Sequence, residues 1–306
     1  MTKNGRKYTF NVAEHTIRVV DDNDYEQDAA RSKPEVISLL PSFQNFKAGD
    51  EESVPLFTLT VDDRIKPVPK EQRQRIRAFD TGNGETIVDE INGGGYQYII
   101  KDTGGRDCCL LICNEDFSSC RCALNGNVGM RVFGMNNALM LVYAFATSHL
   151  DTVMIHASLV RHAKHGYAFI AKSGTGKSTQ VSMWLRYIPD CDLMNDDNPI
   201  IRVIGDDVFI YGSPWSGKTP CYRNTKAPLG AITRIDRAKE NTIEKLSPVD
   251  AFASVLPACS AMKWDVGILR SVCDTVTKII ERTPIYTLHC LPDRDSAIVC
   301  HNAISK

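Results

Sequence analysis

Residues 167–179 read YAFIAKSGTGKST. The opening five residues form a short apolar run, and glycines at 174 and 176 mark a loop. The following QVSMWLRYI (180–188) reads as a helix with Val181, Trp184, Leu185 and Ile188 on one face, ended by Pro189 and Asp190. Strand, loop and helix in that order make a phosphate cradle. The loop N–H groups converge on an anion, the helix N-terminus faces it, a lysine neutralises the β/γ oxygens and a hydroxyl ligates magnesium. AKSGTGKS at 171–178 fits G-x-x-x-x-G-K-[ST] except that Ala171 stands at the first glycine, a position that only closes the turn. Ser173, Gly174, Thr175, Gly176, Lys177, Ser178 and Thr179 are therefore the expected nucleotide contacts. ATP is the expected donor and Mg2+ its metal, with Ser178 among the ligands.

A second stretch, GSPWSGKT at 212–219, matches the same pattern at every position. Its context is wrong. Pro214 and Trp215 stiffen and crowd the loop, Pro220 follows directly, and PCYRNTKAP contains no helical run. The imperfect match is the expected nucleotide site, and the perfect one a loop beside it.

Phosphoryl transfer also needs carboxylates near the metal, usually at the end of a neighbouring strand. DLMNDD at 192–197 supplies Asp196 and Asp197 after an apolar run, 19 positions beyond Lys177. Adjacent carboxylates there can divide the work, one as proton acceptor and the other on the metal. Asp206–Asp207 sits between two strand-like runs and reads as a plain turn. His156, in MIHASLV, reads by itself as a core histidine on a strand.

Taken together, HASLV (156–160), YAFIAKSGTGKST and DLMNDD resemble HPr kinase/phosphorylase, which shares its P-loop fold with phosphoenolpyruvate carboxykinase. The resemblance is good over about 150–200, loose over the rest of the C-terminal half, and does not reach 1–130. It implies an α/β P-loop kinase domain of that type at 131–306; residues 1–130 read from their own pattern as a β-rich docking or scaffold domain. It implies catalytic roles for Lys177 on the phosphates, Asp196 as the base for a serine hydroxyl, and His156 beside the transferred phosphoryl group, with Asp197 supporting the metal. Asn195 replaces the family's alanine, and GSPWSGKTPCYRN replaces its Glu-Val-Arg-Gly segment. The chain is closer to HPr-kinase-like proteins carrying N-D-D-N-P followed by G-[ST]-P-W. Lys218 and Arg223 in that replacement loop are the candidate substrate contacts, while Trp215 either stacks on a base or plugs the core.

The expected function is an ATP-dependent transfer to a serine-like hydroxyl of a peptide, protein or small molecule. The alternatives are a carboxykinase-type enzyme, for which the chain is short, and a nucleotide-binding regulator without phosphoryl transfer. A GTPase is excluded because NTKA at 224–227 is not N-K-x-D. The formal net charge of −1 gives no electrostatic case for nucleic acid or an anionic membrane. No apolar signal segment opens the chain and its longest strongly apolar stretch, 138–146, is too short to span a bilayer. The expectation is a cytoplasmic protein, with room for a homo-oligomer.

Residues 1–130 carry short β-branched and aromatic runs separated by Gly- and Asp-rich turns, which favours an antiparallel sheet. Five of the 11 cysteines (108, 109, 113, 120, 122) fall in CCLLIC and CRCAL, whose alternation reads as an apolar hairpin of reduced thiols. A helix is expected over 131–149, linking the halves. The second half alternates strands with helices at 248–260, 264–282 and over RDSAIVCHNAI.

Overall fold

The computed structural model describes residues 5–25, 33–49, 53–80, 84–172 and 174–305. The protein is mixed α/β with two large sheets, one in each of two compact units that divide between Ala146 and Thr147.

The first unit holds β1 (Arg6–Val12), β2 (His15–Asp21), β3 (Phe57–Val61), β4 (Arg73–Asp80), β5 (Glu85–Ile91), β6 (Tyr96–Lys101), β7 (Asp107–Cys113) and β8 (Ser119–Leu124), then helix α1 (Val128–Ala146). The sheet order is β1-β2-β3-β8-β7-β6-β5-β4. The antiparallel expectation holds from β4 to β8, but β3 runs parallel to both β2 and β8. A parallel neighbour needs a long connection, and the stretch between Asp21 and Phe57, with 3-10 turns at Val36–Leu39 and Pro41–Phe46, supplies it. Helix α1 begins and ends three residues before the expected 131–149 span, and it packs on β7 and β8. That packing carries the division to 146/147, where the sequence reading divides the chain at 130/131.

The cysteine-rich runs form a hairpin in which Cys113 faces Cys120 and Leu111 faces Cys122. All five thiols are at most 2% exposed, so they act as small apolar side chains. Burial and the neighbouring Cys120 push the Cys113 thiol well up, and Cys109 with burial does the same to Cys122.

The second unit holds β9 (Thr152–Met154), β10 (Ala157–His162), β11 (His165–Ile170), α2 (Lys177–Tyr187), β12 (Asp192–Asp197), β13 (Ile200–Ile204), β14 (Asp207–Tyr211) and β15 (Lys226–Arg237). It continues with β16 (Thr242–Lys245), α3 (Pro248–Val255), α4 (Val266–Arg282), β17 (Ile285–Cys290) and α5 (Arg294–Ile304). The order is β12-β10-β11-β15-β14-β13-β9, with β17 pairing β15 and β16 pairing β17. Strands β11, β15 and β17 run parallel and form the centre. One apolar cluster joins the sheet to α3 and α4 through Ile232, Val255, Val272 and Ile279. The other joins it to α2 and α5 through Tyr167, Phe169, Trp184 and Ala297. Leu185 is not on the buried stripe of α2 but 39% exposed. Gln180 is buried in its stead, because α5 offers its amide partners: Gln180 Nε2 donates to the Ser296 carbonyl and Ser296 Oγ donates to Gln180 Oε1.

MIHASLV is not one strand. It breaks at Ile155–His156, where Ile155 bridges Cys259 and the His156 N–H donates to the Ala258 carbonyl. β9 pairs with β13, whereas β10 lies between β11 and β12. The break turns His156 out of the core, correcting its reading as a buried strand histidine. Among the described residues, no helix is long and apolar enough to cross a membrane.

Candidate active site

Strand register alone brings three separate sequence segments to one sheet end. Ala157 is opposite both Ile170, the last residue of β11, and Asp197, the last residue of β12. His156 therefore precedes a row from which the 171–176 loop and the carboxylate pair both leave. The loop passes from β11 into α2, whose N-cap is Gly176. Gly174 and Gly176 have φ of +76° and +132°, which glycine adopts freely and other residues do not. Thr175 N–H donates to the Lys172 carbonyl at 3.1 Å, closing the turn. Ser178 and Thr179 are exposed on the first turn of α2. Ser173 lies outside the described residues.

Lys177 Nζ is 2.8 Å from His156 Nε2, and His156 Nδ1 is 2.9 Å from Asp197 Oδ1. An ammonium only donates, so Nε2 accepts and the ring proton sits on Nδ1, donated to Asp197. The result is a lysine–histidine–aspartate chain. Burial pushes the Lys177 ammonium below the ordinary lysine range, and Asp197 and Asp196 raise it in part.

The two carboxylates differ in setting. Asp196 is 5% exposed, with Oδ1 accepting from Ser158 Oγ at 2.7 Å and Oδ2 from Thr219 N–H at 3.3 Å. Asp197 is more open. Its second oxygen accepts from Asn198 Nδ2 at 2.9 Å. Its φ of +118° is rare for a residue with a Cβ and costs about 1–3 kcal/mol. Strain of that kind persists only where surrounding contacts hold it, and it clusters at working sites.

Those contacts come from the loop with the perfect motif. Ser216 bridges Asp197, Ser216 Oγ donates to the Asp196 carbonyl at 2.9 Å, and the Gly217 N–H donates to the same carbonyl. A Cβ on Gly217 would lie 3.1 Å from that of Asp197, and one on Gly212 would lie 2.1 Å from the Arg223 carbonyl. Both glycines of the motif thus serve close backbone approach. Residues 220–225 have no helix. Asn195, fully buried, ties the assembly together. Its Nδ2 group faces the carbonyls of Ser213, Trp215 and Cys221 and the Ser213 hydroxyl at 3.2–3.4 Å, and its Oδ1 accepts from Asn198 N–H at 3.1 Å.

No protein-family model matches the chain. No curated protein matches it either. Among solved structures, the HPr(Ser) kinase/phosphatase from Coxiella burnetii aligns with 49% of this chain and 95% of its own, at 9% identity and a TM-score of 0.29.

The candidate substrate residues separate. Lys218 is exposed between Gly217 and Thr219, both bonded to Asp196, and so lies on the rim. Arg223 does not reach the site. It pairs with Asp192 at 2.6 Å, at the far end of β12, about 16 Å along the strand from Asp197. Arg161 grips the same carboxylate through two N–H groups, so Arg223 is half of a structural clamp. Trp215 is 5% exposed and plugs the core, which leaves no face for a base.

Three contributors escaped the sequence reading. Ser158 holds Asp196; it lies within HASLV, but a serine in a strand gives no sign of its partner. Asn195 was visible only as a departure from a family's alanine. Arg237, at the end of β15, bonds the loop carbonyls of Gly174 and Thr175, and nothing in RIDR marks it.

Proposed function

We propose that this chain is an ATP-dependent phosphotransferase acting on a serine-like hydroxyl of a peptide, protein or small molecule. The observation that carries the reading is the convergence of Lys177, His156 and the Asp196–Asp197 pair at the ends of three neighbouring strands. The residues fit the donor. A Cβ built on Gly174 or Gly176 would meet no heavy atom within 4 Å, so the loop leaves open space for a phosphate at a helix N-terminus. Lys177 would neutralise phosphate oxygens. The Ser178 hydroxyl and Asp197 carboxylate are hard oxygen donors suited to Mg2+, which when bound spreads the negative charge of the phosphates.

Asp196 accepts the proton of the attacking hydroxyl in this reading, held still by Ser158 and Thr219. His156 stands beside the phosphoryl group, oriented by Asp197. Lys218, exposed on the rim between two residues bonded to Asp196, is the candidate cation for the acceptor.

Lys177→Ala should weaken binding of ADP with Mg2+ by about 1–3 kcal/mol, the scale of a lost charge-assisted contact. Lys218→Ala should leave it unchanged. Titration calorimetry on both variants checks the pair of results. The reverse pattern would move the nucleotide to the 212–219 loop. Labelled ATP against libraries of serine-containing peptides and small hydroxyl compounds then tests transfer itself, and a chain that binds ATP but transfers phosphate to nothing would be a regulator.

A further inference from the structure

On the side of the glycine loop away from His156 lies β15, whose register sets Arg234 opposite Ile170. Arg237 is three residues further on, about 10 Å past that row, where the loop folds over the strand ends. Its side chain shares a face with Ile235, which packs in the cluster joining the sheet to α2. Arg237 Nε donates to the Thr175 carbonyl at 2.9 Å and its terminal nitrogen to the Gly174 carbonyl at 2.5 Å.

These two acceptors matter because of what a phosphate cradle requires. Each carbonyl shares a rigid peptide plane with the next N–H. The Gly174 plane carries Thr175 N–H, which closes the turn on Lys172, and the Thr175 plane carries Gly176 N–H, at the helix N-terminus. Rotation of either plane would open the turn or swing Gly176 N–H away from an anion there. Gly174 and Gly176 offer little resistance, since glycine accepts many backbone conformations. A guanidinium presents parallel N–H groups in a rigid fork, which suits two adjacent carbonyls, whereas an ammonium is a point donor.

We propose that Arg237 is a positioning residue that latches residues 174–176 in their anion-accepting shape by holding the carbonyls of Gly174 and Thr175. The proposal rests on the nucleotide-binding reading above. It assigns Arg237 no contact with the base or the acceptor. Its work is done before the ligand arrives, by removing the cost of ordering a glycine-rich segment.

The test uses the full chain, unaltered and as Arg237→Ala and Arg237→Lys, with ADP and with inorganic pyrophosphate, each with Mg2+, by titration calorimetry. Amide hydrogen exchange of the nucleotide-free proteins is followed in parallel. Arg237→Ala should weaken both ligands by a similar factor, about tenfold, because the latch acts on the shared phosphate cradle. Arg237→Lys should recover less than half of that loss on a logarithmic scale, since it keeps the charge and loses the fork. Exchange at 174–176 should accelerate in Arg237→Ala while α5 is unchanged. Equal affinities in the alanine variant overturn the proposal. So does a loss confined to ADP, which would put Arg237 on the base. Full rescue by lysine would make the effect one of charge and overturn the latch. If the unaltered chain binds neither ligand, the nucleotide reading itself fails and the latch with it. Faster exchange at 174–176 in that case would leave Arg237 as a brace for the loop alone.

Discussion

Asp196→Asn is expected to bind nucleotide and to transfer phosphate about 10²–10⁴-fold more slowly than the unaltered chain, the usual cost of losing a positioned base. The substitution is nearly isosteric. The amide oxygen it introduces can still accept from the Ser158 hydroxyl, and the contact it forfeits, from Thr219 N–H at 3.3 Å, is long. Loss of rate with folding intact is therefore loss of basicity. Single-turnover transfer from labelled ATP, with calorimetry for ADP, separates the two quantities. The informative partner is Asp197→Asn. Asp197 is the more open carboxylate, and through His156 it connects to Lys177. Should Asp196→Asn keep its rate within tenfold, Asp196 is a structural carboxylate; a rate then lost in Asp197→Asn with Mg2+-dependent ADP binding intact would put the proton on the Asp197–His156 pair.

Asn195→Ala should cost about 2–4 kcal/mol of unfolding free energy and lower transfer as well. The side chain is fully buried and spans two segments, so truncation takes a donor from the carbonyls of Ser213 and Cys221 and the acceptor from the N–H of Asn198, while the Trp215 carbonyl keeps the Ser213 hydroxyl. Each unsatisfied buried group costs about 1–3 kcal/mol, and the losses overlap because the loop relaxes as a unit. Relaxation of 213–221 would release the Ser216 and Gly217 contacts that hold Asp196 and the unusual backbone of Asp197. Chemical denaturation measures the first effect and single-turnover transfer the second. A variant with native stability would show that the loop is held by its other contacts and that Asn195 is incidental to the carboxylate pair.

This pair of residues marks the limit of what could be read along the chain. Strand β11, the glycine loop and α2 were legible because they are contiguous. Their periodicity, their glycines and the Pro189 stop are local, and local context also rejected GSPWSGKT, where Pro220 stands in place of a helix. The cysteine hairpin was legible for the same reason, since alternation along two short strands settles which side chains turn inward. The course of β3, parallel to both neighbours, was not, because its partners lie across a long connection and nothing in five residues states their direction.

Within the candidate site the same distinction decides each residue. The family resemblance named His156, Lys177, Asp196 and Asp197 as a set; by itself His156 read as a core histidine. Only strand register shows how they meet, with Ala157 opposite Ile170 on one side and Asp197 on the other. Arg223 and Trp215 had suitable chemistry and the wrong place: one is pinned by Asp192 at the far end of β12, the other closed into the core. Asn195 and Arg237 had the right place and no signature, because their partners are backbone carbonyls that every residue carries. Side-chain chemistry and short-range periodicity were determined by the sequence alone. Which backbone groups come within hydrogen-bond reach of which side chain was decided by the tertiary structure, since that depends on pairing between segments far apart in the chain.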